Sequence, residues 1–117
     1  MLVDTSVWIN HFRRSNDDLE QFLEQGRVSI HPFVIGELAC GSLRKRTEVI
    51  GLLRRLPSVP MATHDEVLRF IDRAQLHGSG LGWIDVHLLA SARLAHESLW
   101  SADRCLRQAA VRLGLAD

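Results

Sequence analysis

The 117-residue sequence has no excess of charge of either sign, because 14 lysine and arginine residues balance 14 aspartate and glutamate residues. The composition is therefore not strongly basic, and a strongly basic composition is the simplest sign of a nucleic-acid-binding domain. Lysine itself is nearly missing: Lys45 is the one lysine, and the other basic residues are arginine. Arginine suits phosphate, or the carboxylate of a partner, although a genomic preference for arginine explains the bias equally well.

Cysteine is scarce, and long apolar runs are missing. Cys40 and Cys105 lack the close spacing of metal-binding cysteines, so we expect both to be small apolar core residues in a reducing cytosol. No apolar run approaches the roughly 18 residues that span a membrane, and no signal peptide precedes the first predicted strand. We therefore expect a soluble cytoplasmic protein. Its length and its hydrophobic content of 46% predict one globular domain.

Short apolar stretches alternate with helical patterns along the chain. Residues 1–4, 28–30 and 98–101 are typical of strands, and a helix start follows each of them. The spacing predicts that Thr5 or Ser6 caps the first helix. Strands separated by helices favour a parallel α/β sheet with right-handed crossovers, which should be small because its strands are few and short.

Four acidic residues lie near predicted strand ends or helix starts. Asp4 follows the first strand and Asp103 the last, so both should reach the same edge of a parallel sheet, where such folds bind ligands. Glu37 lies in the helix after the second strand, and Asp85 lies in the first turn of the helix after the glycine-rich loop 78–82. Each acid also has an ordinary explanation. Asp4 and Asp103 could be helix caps, Asp85 could favour the helix dipole, and Glu37 could be solvated.

Convergence of these acids would create a divalent-cation site. Gathered carboxylates repel one another and raise one another's pKa values, and a Mg²⁺ or Mn²⁺ ion removes that conflict. Such ions stabilise the charge on a phosphodiester and activate a water for attack. The pattern therefore predicts a divalent-cation site, if the four acids converge.

Four segments together resemble a known family. Residues 2–9 (LVDTSVWI) are similar to the opening of PIN domains, in particular those of VapC-type toxin ribonucleases, and residues 35–38 (IGEL) resemble the helix with the family's second acid. Residues 82–90 and 99–103 resemble the segments with the third and fourth acids. Because the match runs in order over nearly the whole chain, we interpret residues 1–117 as a single PIN-like domain.

The resemblance implies a three-layer α/β/α sandwich with a small parallel sheet of about four strands. It also implies a Mg²⁺- or Mn²⁺-dependent endoribonuclease, the toxin of a toxin–antitoxin pair, that cleaves structured RNA such as a tRNA or rRNA loop with a metal-activated water. The implied partners are the RNA, a VapB-type antitoxin and a second copy in a homodimer. Operator DNA would be reached only through the antitoxin, and no membrane is involved.

The resemblance also assigns site residues. The acidic positions carry over as the catalytic residues Asp4, Glu37, Asp85 and Asp103, and the metal would be held by Asp4, Asp85 and Asp103. Ser6 and Ser101 carry over as supporting hydroxyls, although the family more often has Thr at the second position. Residues 115–117 lie about where a last edge strand would begin, so that strand is expected to be absent or very short.

Several other side chains have both a functional and an ordinary interpretation. The one basic run consists of Arg44, Lys45 and Arg46, which could contact RNA or form a solvated face. Trp8 and Trp83 could stack on a base beside the acids, but we interpret both as core residues.

Two rival functions stay open. A catalytically silent PIN-like module could bind RNA or antitoxin without cleavage, although retention of all four acids argues against it. A receiver-like phosphoacceptor signalling domain fits the length and the α/β pattern. Such a domain needs an acidic pair after its first strand and a late lysine, whereas Asp4 stands alone and the one lysine is Lys45.

Overall fold

A computed structural model describes residues 1–116 of the protein. The elements along this part of the chain are β1 (Leu2–Val3), α1 (Thr5–Arg13), α2 (Asp17–Glu24), α3 (Pro32–Cys40), α4 (Arg46–Leu53), α5 (His64–Ala74), α6 (Trp83–Ala95), β2 (Leu99–Trp100) and α7 (Arg104–Arg112). Strands at both ends of the chain with helices between them confirm the predicted α/β class.

The sheet is formed by short parallel segments. β1 pairs with β2, and the register places Leu2 opposite Leu99. On the other side of β1, single parallel bridges continue the sheet to residues 29–30 and from there to Ser58. Four segments therefore lie side by side, but only two of them are strands. This is the small parallel sheet of the predicted α/β/α sandwich, and its parallel order gathers the carboxyl ends of the segments at one edge.

The far side of β2 makes one further contact. The Leu99 N–H donates to the Leu115 carbonyl oxygen at 2.6 Å. Within residues 1–116 no strand follows α7. The last residue of the stretch where an edge strand was considered, Asp117, lies outside the described residues.

The core is formed around α6 and the sheet. Residues 86–92 of α6 are all buried, so the helix runs through the core for about two turns instead of resting on it with one face. Leu2, Val3 and Ile30 of the sheet segments are almost completely buried as well. Asp85 lies directly before the buried part of α6, which places its carboxyl group at the boundary between core and solvent. No helix within residues 1–116 is long and apolar enough to span a membrane.

The structure corrects the predicted position of both cysteines. Cys40 and Cys105 are exposed instead of buried. Cys40 is the last residue of α3, and in α7 the buried face is formed by Leu106 and Ala109, next to Cys105 but on another side of the helix. The position of each cysteine on its helix therefore decides its exposure, although the apolar character of the thiol would favour burial.

An ion pair holds the first residue of the chain at the amino end of the sheet. The Met1 amine donates to the Arg27 carbonyl oxygen at 2.6 Å and to Glu97 Oε1 at 2.8 Å, and Ser29 Oγ donates to the same carboxylate oxygen at 2.5 Å. Burial by itself would raise the pKa of Glu97, but the hydrogen bonds from the amine and from Ser29 outweigh burial and lower that pKa. Glu97 thus joins three segments of the chain.

Glu97→Gln should lower the free energy of unfolding by about 1–2 kcal/mol at neutral pH, because the amine keeps its place without a charged partner. A lowered folded-state pKa means that the Glu97 contribution is present above the ordinary glutamate pKa and is lost as the pH falls through the folded value. Urea denaturation at neutral and at acid pH measures both effects. The matched control is Glu24→Gln at the exposed end of α2. Equal stability of wild type and Glu97→Gln at neutral pH would contradict this role.

His31 is a fully buried polar residue at the start of α3. Its Nδ1 accepts a hydrogen bond from the Phe33 N–H at 2.9 Å and so caps the helix, while Nε2 has no partner within residues 1–116. Burial, together with a smaller effect of the neighbouring His87, lowers the pKa of His31 to about 4. The ring is therefore neutral in the folded protein at neutral pH.

The stability of the protein should fall as the pH decreases from about 6.5 to about 4, because the unfolded His31 binds a proton that the folded ring resists. A pKa difference of this size corresponds to about 3 kcal/mol. His31→Asn keeps an oxygen that can cap α3 but does not titrate, so its stability should change less over this range. Denaturation at about pH 7 and at about pH 5 compares the free energies of unfolding of wild type and His31→Asn. The exposed His77→Asn is the control. The same pH dependence in His31→Asn and wild type would refute the assignment.

Candidate active site

Asp4 is the most deeply buried of the four acids, with 6% of its surface exposed. Its Oδ2 accepts hydrogen bonds from Ser6 N at 3.3 Å, Ser6 Oγ at 2.6 Å and Ser101 Oγ at 2.9 Å. Asp4 is also the N-cap of α1, which corrects the prediction that Thr5 or Ser6 caps this helix. The capping role that the sequence left open for Asp4 therefore exists beside its place among the acids.

Two serine hydroxyls tie the end of β1 to the end of β2. Ser101 Oγ donates to Asp4 and accepts the Asp103 N–H at 3.0 Å. Ser6 Oγ donates to Asp4 and accepts the Ala102 N–H at 2.9 Å. Both predicted supporting hydroxyls thus contact the first acid and also fix the backbone that leads to the last one.

The other two aspartates lie at helix starts. Asp103 caps α7 by accepting the Leu106 N–H at 3.0 Å, and its side chain is exposed. Asp85 accepts the Gly82 N–H at 3.0 Å in the first turn of α6. Burial raises the pKa of Asp85, the hydrogen bond from Gly82 opposes part of that rise, and the negative charges of Asp4 and Asp103 add to it. Asp85 therefore lies close enough to Asp4 and to Asp103 for each of them to repel its carboxylate.

Glu37 is connected to this group indirectly. It lies on α3 with an exposed side chain, and its Oε1 accepts a hydrogen bond from Thr5 Oγ1 at 2.7 Å. Thr5 directly follows Asp4, so the contact places Glu37 beside the first acid. Sequence reasoning considered Thr5 only as a helix cap. Its position immediately after the first acid was the available signal for a second role.

The oxygen atoms of the aspartates suit a hard cation. Asp4, Asp85 and Asp103 each use Oδ2 for the hydrogen bonds above, and none of their Oδ1 atoms accepts one from residues 1–116. In this part of the chain, no three histidine, cysteine, aspartate or glutamate side chains lie close enough together to hold a metal ion as they stand. Mg²⁺ needs only one or two carboxylates because it keeps several waters, so the donors present fit Mg²⁺ or Mn²⁺ held partly through water.

Aromatic rings surround the start of α6 and α1. Trp8 is buried, with 3% exposure, as expected for a core residue, but Trp83 is 40% exposed, which corrects the core interpretation for that residue. Trp83 packs edge-on against His87 at 4.7 Å between ring centroids and lies 5.0 Å from His64. His87 is buried, its Nδ1 has no partner within residues 1–116, and burial and the charge of His64 lower its pKa.

The residues of the predicted basic run have separate positions. Arg44 lines a groove beside Glu37, Lys45 is exposed, and Arg46 donates from Nε and Nη2 to the Ala39 carbonyl oxygen at 3.3 and 3.0 Å. Arg46 therefore has a structural contact at the end of α3. Across residues 1–116 no arginine or lysine side chain pairs with a carboxylate, because the single ion pair is the one between the Met1 amine and Glu97.

Comparison with known proteins identifies the family of this chain. The model of the PIN domain family matches residues 1–112. Two relatives, each called ribonuclease VapC32, come from Mycobacterium tuberculosis strains CDC 1551 / Oshkosh and ATCC 25618 / H37Rv. Each is 44% identical over 117 residues, which cover 99% of this chain and 94% of the relative. This chain therefore belongs to the PIN domain family, in its VapC-type branch.

Proposed function

We propose that this protein is a Mg²⁺- or Mn²⁺-dependent endoribonuclease that acts in the cytoplasm as the toxin of a toxin–antitoxin pair. The main supporting observation is the approach of Asp4, Asp85 and Asp103, from three separate elements, at one edge of the sheet. Gathered carboxylates oppose folding unless a cation offsets their repulsion. Relatives that are called ribonucleases point to an RNA phosphodiester as the substrate.

In the proposed reaction, a water attacks the phosphorus of an RNA phosphodiester in line with the leaving 3′ oxygen. The bond between phosphorus and that oxygen breaks, and the products end in a 5′-phosphate and a 3′-hydroxyl. The side chains around the acids fix them in place for this reaction. Ser6 and Ser101 immobilise Asp4, and the Gly82 N–H orients Asp85.

Asp4, Asp85 and Asp103 would hold the metal. When bound, Mg²⁺ or Mn²⁺ activates a water and stabilises the charge that develops on the phosphate. Glu37 is the proposed fourth catalytic acid, and the Thr5 hydroxyl holds it beside Asp4.

The proposed partners are a structured RNA, such as a tRNA or rRNA loop, a VapB-type antitoxin, and a second copy of the chain in a homodimer. Operator DNA would be bound only through the antitoxin. An apolar cleft of 200 Å³ lined by Leu23, Leu52 and Leu56 supports a helical protein partner, because Leu52 leaves 56% of its surface exposed there.

Asp85→Asn should abolish cleavage and at the same time stabilise the metal-free protein. The amide keeps an oxygen for the Gly82 N–H but removes the charge that Asp4 and Asp103 repel. A raised pKa means that ionised Asp85 destabilises the fold, so the gain should be present at neutral pH and disappear in acid. Removal of a residue that only supports a metal ligand reduces activity about 10–100-fold. Replacement of Asp85, a proposed ligand itself, should therefore reduce the cleavage rate by more than about a hundredfold.

Cleavage of total cellular RNA by purified, antitoxin-free protein with Mg²⁺, Mn²⁺ or EDTA tests this prediction, together with thermal melts of the same samples. Mg²⁺ should raise the melting temperature of wild type and leave that of Asp85→Asn nearly unchanged. Asp72→Asn, at an exposed position of α5, is the control. Full activity of Asp85→Asn with Mg²⁺ would overturn the assignment. RNA binding without cleavage in any metal would favour the silent binding module.

Ser101→Ala should lower kcat/KM for RNA cleavage about 10–100-fold, whereas Ser101→Thr should keep most of it. Alanine lacks the hydroxyl that donates to Asp4 and accepts the Asp103 N–H, and threonine retains it. Ser91→Ala is the matched control, because Ser91 is buried like Ser101 but its Oγ has no hydrogen-bond partner within residues 1–116. Steady-state cleavage rates decide the question. Wild-type activity in Ser101→Ala would show that this hydroxyl does not position the acids.

A further inference from the structure

A groove of 660 Å³ opens beside Glu37, where α1 faces α3 and the loop that leads to α4. Two arginines line it, Arg13 from the last turn of α1 and Arg44 from the loop. Ile9 and Phe12 of α1 also line it, and each leaves 38% of its surface exposed. The groove therefore combines cationic and apolar surface directly beside one of the proposed catalytic acids.

The charges that line the groove favour an anionic occupant. Neither Arg13 nor Arg44 forms an ion pair within residues 1–116. Among the described residues that line the groove, Glu37 is the only acid, and its carboxylate already accepts the Thr5 hydroxyl. Two cations without a partner attract phosphate groups from a distance and bind them in place.

The aromatic ring in the groove distinguishes between anionic occupants. Phe12 stacks on Trp8, with 6.0 Å between ring centroids and 28° between ring planes, so its position is supported from within the fold. Exposed aromatic rings beside cations are typical of surfaces that bind single-stranded nucleic acid, because each unpaired base can stack on a ring. A duplex hides the faces of its bases and gains nothing from Phe12.

The groove is continuous with the acidic group. Glu37 lines it, and the Thr5 hydroxyl links Glu37 to the residue next to Asp4. An RNA strand with one phosphodiester at the aspartates must continue over the neighbouring surface, and this groove is the surface beside the fourth acid.

On the basis of the proposed ribonuclease function, we infer that this groove binds the single-stranded RNA that flanks the cleaved bond. Arg13 and Arg44 contact its phosphates, and Phe12 stacks on one of its unpaired bases. The alternative occupant is an acidic peptide. A groove that binds such a peptide would use the two arginines but would not prefer unpaired over paired RNA.

Fluorescence anisotropy with a short, unstructured, labelled RNA and the whole protein in EDTA tests the inference without cleavage. Arg13→Gln and Arg44→Gln should each raise the Kd about three- to tenfold, and each should reduce the slope of log affinity against log salt by about 0.7. Phe12→Leu should raise the Kd by a similar factor with an unchanged salt slope, because stacking releases no counterions. The same RNA annealed to its complement should bind more weakly and be insensitive to Phe12→Leu.

Arg54→Gln is the matched control, since Arg54 is an exposed arginine at the end of α4 outside the groove. If Arg13→Gln and Arg44→Gln bind RNA like Arg54→Gln, the inference is wrong, and an acidic peptide is the occupant that is left to test. The two arginine variants decide this even if Phe12→Leu fails to fold.

With metal, the groove variants should raise KM and leave kcat nearly unchanged. Absence of cleavage by wild type would overturn the ribonuclease proposal separately, because the binding series in EDTA does not depend on it.

Discussion

The burial of one carboxylate, that of Asp4, constrains the surrounding structure. A carboxyl group with 6% exposure needs hydrogen bonds, and these come from Ser6 in the adjoining helix and from Ser101 near the other end of the chain. Because Ser101 also accepts the Asp103 N–H, the same oxygen fixes the start of α7. A shifted register between β1 and β2 would leave Asp4 without Ser101, so the sheet and the acidic group depend on each other.

The parallel direction of the segments separates two kinds of electrostatic environment. At their amino ends, the Met1 amine and Glu97 form an ion pair that Ser29 supports, and this pair stabilises the sheet. At their carboxyl ends, like charges gather and the pKa of Asp85 is raised. An ion pair thus stabilises the amino end of a two-residue strand. At the carboxyl end, like-charged carboxylates repel, and a cation can offset that repulsion. This division is the physical basis for placing binding chemistry at the carboxyl edge.

The class of the fold and the order of the acids could be predicted from the sequence, because they depend on local patterns: apolar strands before Asp4 and Asp103, and a glycine-rich loop before Asp85. The exposed Cys105 and Trp83 were predicted wrongly, because exposure depends on helical phase against neighbours that are distant in sequence. The contact between Thr5 and Glu37 and the groove beside it could not be predicted for the same reason, since they arise only when α1 packs on α3. The roles of the acids in catalysis stay predictions.

The exposure of the two thiols has a practical consequence for spectroscopy. Cys40 ends α3, three residues after Glu37, and Cys105 lies two residues after Asp103 in α7. The chain thus provides a native pair of attachment points for spin labels or fluorophores on two of the elements that contribute acids. The distance between such labels reports how these helices move relative to each other, without an engineered cysteine and without alteration of any residue assigned to the site.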